Sequence, residues 1–171
     1  MAKTNFGKMR GILTNMSLNT ELRVRILKSY VWSTLLYGCE SWTIKADMRR
    51  RLEATEMWFL RRMLRVPWTA RRTNEEVLQM AGVSRQLMFT IRKRQLGYLG
   101  HVLRGSSLEK DCLLGFIEGT RARGRQRIKY LDIIKMLVGA QSAGEVVRLA
   151  EDRRRWRSIV ANANPRGTAP R

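Results

Sequence analysis

The sequence predicts an all-α fold, an irregular bundle of about six helices with an Arg/Gly-rich extended arm or small hairpin. Apolar residues recur at helical spacing nearly throughout the 171 residues, 44% of which are hydrophobic. Two capping boxes, Thr73-x-x-Glu76 and Ser142-x-x-Glu145, mark helix starts. Only three prolines interrupt the chain, so enough apolar surface is available to fold rather than remain disordered.

The elements follow in order. Ser17 or Thr20 starts a first helix that runs to the Tyr37-Gly38 stop, with Leu22, Ile26, Leu27, Tyr30, Val31, Leu35 and Leu36 as its apolar set. A second starts near Asp47 as N-cap and ends before Pro67. The Thr73 box opens a short third helix closed by Gly82, and Ser84 caps a long fourth that ends at Gly105. A short helix can follow from Ser107. Residues 114–127, rich in Gly and Arg, form the arm. Helix resumes from about Arg127 to Val138, the Ser142 box opens a last one through Val160, and 162–171 is expected to be a disordered tail.

Charge narrows the function. Lys and Arg number 34 against 14 Asp and Glu, a formal charge of +20, which points to a polyanionic partner. Of these, 26 are Arg and 8 Lys, and the guanidinium fork is the better bidentate phosphate ligand. Cys39 and Cys112 form neither a disulfide framework nor a CxxC clip, and His101 is the lone histidine, so no metal site or cofactor is expected. The longest stretch without a charge, Ser29 to Cys39, falls short of the roughly 20 residues of a membrane span. The start of the chain has no apolar signal core. The expected location is intracellular, nuclear or cytoplasmic, and not secreted.

On a helical wheel the second helix divides. Leu52, Phe59, Leu60, Met63 and Leu64 fall on one side; Arg50, Arg51, Arg61, Arg62 and Arg65 cluster on the other with Trp58, where an exposed indole could stack on a base. The fourth helix repeats the design, with Leu87, Met88, Ile91, Tyr98, Leu99, Val102 and Leu103 opposite Thr90, Lys93, Arg94, Gly97 and His101. His101 lacks a Ser, Cys or Asp partner nearby in sequence and suits a structural or phosphate-contacting role better than catalysis. Gly97 and Gly100 would let another backbone approach closely. In the arm, Arg121, Arg123, Arg125 and Arg127 recur with period two, so an extended chain projects all four to one side, about 6.6 Å apart, able to track a phosphate backbone. Glu75-Glu76 and Glu151-Asp152 suit capping and surface charge, with Arg155 a partner for Glu151 at i+4. Trp156 shares a face with Leu149 and Val160 and suits a core anchor; Trp42 is open between core and binding.

Several strings carry a resemblance: Leu35-Leu-Tyr-Gly-Cys-Glu-Ser-Trp42; Leu60-Arg-Arg-Met-Leu-Arg-Val-Pro-Trp68 with Arg72-Thr-Asn74; Leu99-Gly-His-Val-Leu-Arg104; Gly119-Thr-Arg-Ala-Arg-Gly-Arg-Gln-Arg127 with Asp132; and Glu151-Asp-Arg-Arg-Arg-Trp-Arg157. In this order and spacing, over residues 5 to 157, they resemble the region after the polymerase palm in non-LTR (LINE-type) retrotransposon reverse transcriptases. Gln126 stands where that family often has Pro, and Tyr130 where it often has Trp. The resemblance implies a thumb-like helical subdomain at 1–82 and a C-terminal helical extension at 83–161 that includes the arm. Together they would grip template–primer, element RNA or target DNA beside an upstream palm whose catalytic carboxylates are not in this chain. The expectation is a noncatalytic, mainly electrostatic nucleic-acid-binding module, with the palm or a second copy as a further partner through its exposed packing face. The alternative is a helical interaction or scaffold protein, or a transposon-derived remnant without function.

Overall fold

A computed structural model describes residues 1–116 and 129–163. The expected arm arginines and most of the expected tail lie outside the described residues. Within them the regular structure is all helical. The helices are α1 (Ala2–Lys8), α2 (Arg10–Leu13), α3 (Thr20–Ile26), α4 (Ser33–Leu35), α5 (Ala46–Met63), α6 (Asn74–Ala81), α7 (Leu87–Arg104), α8 (Leu108–Leu114), α9 (Tyr130–Val138), α10 (Ala143–Glu151) and α11 (Arg153–Ala161). By its contacts the chain divides into one unit of residues 1–37 with 47–88 and a second of 38–46 with 89–171. Gln95 of α7 donates from Nε2 to the carbonyls of Cys39 (3.0 Å) and Trp42 (2.8 Å) and so holds the 38–46 segment in the second unit.

In the first unit, α1 and α2 escaped the sequence reading, since Gly7 and Gly11 and an uncapped start conceal them. Phe6 nevertheless buries its ring against Phe59 (centroids 5.5 Å apart) and Trp58 (5.6 Å, edge-on) of α5. The helix that follows Asn19, its N-cap, passes through a π-helical turn at Leu27–Trp32 before α4. The wider turn shifts the buried face. Val24, Leu27, Val31, Trp32 and Leu36 go inward, while Leu22 and Tyr30, expected in the apolar set, face solvent. Arg23 is buried as well: its Nη1 donates to the Met63 carbonyl at 3.0 Å and its Nη2 to Thr20 Oγ1 at 3.0 Å. That satisfies a carbonyl at the C-terminal end of α5, where a cation is also favoured by the helix dipole.

Helix α5 buries Leu52, Phe59, Leu60, Met63 and Leu64, the face the wheel predicts. Asp47 lies in its first turn rather than at the N-cap, since the helix begins at Ala46. Its end is a Schellman motif: Val66 N–H bonds the Arg61 carbonyl (2.9 Å) and Arg65 N–H that of Arg62 (3.3 Å), with Pro67 just beyond. The position that usually takes glycine is Arg65, at φ 55°. Thr73 and Glu76 form the predicted capping box on α6, which Gly82 closes at φ 65°. Ser84 does not cap α7. The amides of Gln86 and Leu87 donate instead to Glu56 Oε1 on α5, at 2.9 and 3.0 Å, so a buried carboxylate thirty residues upstream supplies the cap.

The second unit packs α7, α9, α10 and α11 around Leu96, Leu99, Leu103, Ile134, Val146, Leu149 and Trp156. Tyr98, expected inward, is 41% exposed. Gly100 admits a side chain rather than a backbone: the Trp156 indole lies over it and donates from Nε1 to the Leu96 carbonyl at 2.9 Å. Trp156 is thus the core anchor the sequence suggests. The expected last helix is broken in two at Asp152, whose extended backbone ends α10 and whose Oδ1 caps α11 through the Arg154 and Arg155 amides, each at 3.0 Å. Glu151 and Arg155 therefore belong to different helices, and their spacing does not make them neighbours on one face.

Candidate functional site

In the first unit, α1, α2, α5 and the loop after α5 enclose a cleft of about 1490 Å³. Seven basic side chains line it (Lys3, Arg10, Arg50, Arg61, Arg62, Arg65 and Arg85) against one carboxylate, Glu53. Glu53 is already engaged, by Arg49 Nε at 2.8 Å and more distantly by Arg85 at 3.9 Å. Most of the positive charge thus has no acidic counterpart in the cleft wall. Gly7 and Gly11 form part of the lining, and a Cβ built at either would meet nothing within 4 Å; their bareness keeps this wall low.

Of the predicted residues on α5, Arg50, Arg61, Arg62 and Arg65 line the cleft, while Arg51 is exposed outside its lining. Arg61 is partly committed, donating to the Arg72 carbonyl at 2.8 Å and Asn74 Oδ1 at 3.1 Å. Trp58 is not the free platform expected. It is half-buried, edge-on to Phe6 and Phe59, with Lys3 Nζ and the Arg62 guanidinium each 5.1 Å from its ring centroid. Its π-face holds two of the cations in place. The exposed aromatic at the cleft is Trp68, which the wheel could not select because it follows the end of α5. Lys3 and Arg10 were discoverable: Lys3, Gly7, Arg10 and Thr14 are spaced by four, three and four, a helical stripe. Arg85 left no local signal.

In the second unit, Lys93, Arg94, Gly97 and His101 share the exposed side of α7, as predicted. Arg94 is a hydrogen-bond partner of the Cys39 thiol; burial raises that thiol's pKa and the guanidinium opposes the rise. A further basic group lies at α11. Arg104 donates to the Ala150 carbonyl at 2.8 Å, and burial together with the charges of Arg153 and Arg157 lowers its pKa from the usual arginine value. Arg153 and Arg157 lie on α11 and Arg104 at the end of α7, so no spacing along one helix announces the group. The predicted contacts Arg121, Arg123, Arg125 and Arg127 lie outside the described residues.

No group of three or more His, Cys, Asp or Glu among the described residues could hold a metal ion, and no helix among them is long and apolar enough to cross a membrane. The site has the chemistry of a receptor for an extended anion: many guanidiniums, few carboxylates and aromatic surface beside them.

In an alignment 159 positions long that covers 86% of the chain, it is 27% identical to a putative uncharacterized transposon-derived protein of Caenorhabditis elegans. It spans 57% of that relative's length. No protein-family model matches the chain, and no solved structure matches it. The similarity is to a protein of transposon origin.

Proposed function

We propose that this chain is a basic nucleic-acid-binding module of transposon origin, noncatalytic by itself, that grips the sugar–phosphate backbone in the cleft of its first unit. The observation that carries the reading is the seven-to-one excess of basic over acidic side chains in that lining. A solvated charged face would normally interleave acids to relieve the repulsion. The spacing of the Leu35–Trp42, Leu60–Trp68 and Leu99–Arg104 strings and the transposon-derived relative support a finer form of the same proposal. In that form the chain corresponds to the thumb and C-terminal region of a non-LTR retrotransposon reverse transcriptase, and it acts beside a palm supplied by a longer polypeptide. In the second unit, Lys93, Arg94 and His101 form a phosphate-contacting face of its own.

The test is binding to labelled RNA–DNA hybrid, duplex DNA and single strands across a salt series. The full chain is compared with a variant carrying Arg50→Ala, Arg62→Ala and Arg65→Ala. A linear fall of log K with log salt is expected, shallower in the variant by about 0.7 to 0.9 per lost phosphate contact. A slope indifferent to these arginines, or no binding near physiological salt, overturns the assignment of the cleft.

A further inference from the structure

The segment that follows α5 carries two costs, a strained backbone and an exposed indole, and the Schellman end of α5 accounts only for the strain at Arg65. Arg65 and Arg71, at φ 55° and 46°, both occupy the left-handed region where glycine would sit without strain. Between them the 3-10 turn Trp68–Ala70 holds an indole 89% exposed to water. The segment is also pinned. Val66 N–H returns to α5 at the Arg61 carbonyl, Arg71 N–H closes on the Trp68 carbonyl at 3.3 Å, and the Arg61 side chain ties down the Arg72 carbonyl. Trp68 is thus a large apolar surface held out by a braced turn, at the wall of a cleft whose other lining is mostly guanidinium.

We infer that Trp68 is a stacking platform for an unpaired nucleobase whose flanking phosphates lie in the cleft. This deepens the proposed function and rests on it. Charge complementarity selects the class of occupant: a strand that must place anions against Arg62 and Arg65 also brings bases within reach of the adjacent indole, and every base has a π-face to offer. An aromatic ring on a braced turn loses little conformational freedom on stacking. Paired bases in the interior of a duplex present only their edges, so the platform favours single strands and frayed or junctional ends over blunt duplex.

The experiment measures the full chain, Trp68→Ala and Trp68→Phe against labelled oligodeoxythymidylate, blunt duplex DNA and heparin, a polyanion without bases. Stacking of one base predicts that Trp68→Ala weakens single-strand binding about five- to 150-fold with an unchanged salt slope. Trp68→Phe should recover much of this, and heparin affinity should stay within about twofold, since its contacts are ionic. Unchanged single-strand affinity in Trp68→Ala, with heparin still bound by the parent chain, overturns the platform and leaves the basic cleft standing. Equal losses for heparin and single strand, or a thermal unfolding shift in Trp68→Ala, also overturn it, by assigning Trp68 to the shape of the loop. A parent chain that binds neither heparin nor nucleic acid removes the underlying reading.

Discussion

At Gly100 a missing side chain is a packing requirement. A Cβ there would lie 2.1 Å from Trp156 Nε1 and 2.5 Å from Cδ1, and the indole cannot swing away because it is buried and bonded to the Leu96 carbonyl. Gly97, three residues earlier on the same helix, has nothing within 4 Å of its would-be Cβ. The two glycines should therefore respond oppositely. Gly100→Ala is expected to destabilise the protein by about 1–3 kcal/mol through overpacking. Gly97→Ala should stabilise it by about 0.5–1 kcal/mol, because alanine restricts the unfolded chain and favours helix. Urea denaturation followed by circular dichroism decides it; similar effects of the same sign would mean that Trp156 does not lie over Gly100. Trp58 and Trp68 make a related point. Periodicity puts Trp58 among arginines, but two of the residues on its ring, Lys3 and Phe6, come from α1, which no local pattern around Trp58 announces. Trp68 lies beyond the helix, where a wheel has nothing to say.

Among the elements, α5 was the most legible: its apolar stripe and its arginine stripe both fall where a 3.6-residue period puts them, since each depends only on positions along one helix. What stayed hidden depends on distant partners or local irregularity. The π-helical turn rotates the face of the preceding helix, the break at Asp152 replaces one helix with two, and Glu56 reads as a surface acid until α7 is seen to begin on it. Burial raises the Glu56 pKa above its ordinary value of 4.5, against the lowering effect of the Gln86 and Leu87 amides and of Arg85. The sign follows directly. An acid whose folded pKa exceeds its unfolded value binds more protons in the native state, so its stabilising contribution is complete below about 4.5 and declines as pH rises through the folded value. Glu56→Gln keeps an acceptor for both amides and removes the titration. The stability of the parent relative to Glu56→Gln should fall over that window, by no more than about 1.4 kcal/mol per pH unit, and level off above it. Parallel stability curves from acid to neutral pH would show that Glu56 has no raised pKa.

On the scale of the whole molecule, charge is the dominant fact. A formal +20 on 171 residues repels itself in the folded state, where the cations are brought together, more than in an expanded chain. Added salt should therefore raise the melting temperature of the free protein by several degrees as the screening length shrinks from about 30 Å at 0.01 M to about 8 Å at 0.15 M. Calorimetry at fixed pH gives the answer, and a melting temperature that is flat or falls with salt would mean that the positive charge is internally compensated. The chain crosses between its two units at 37/38, 46/47 and 88/89, and this has a consequence for the order of its birth on the ribosome. Cys39 and Trp42 emerge 56 and 53 residues before Gln95, whose amide holds their carbonyls, and Glu56 emerges before the amides it caps. Neither unit can finish from the stretch already made, so the nascent thread must wait, partly assembled, until α7 arrives to complete both.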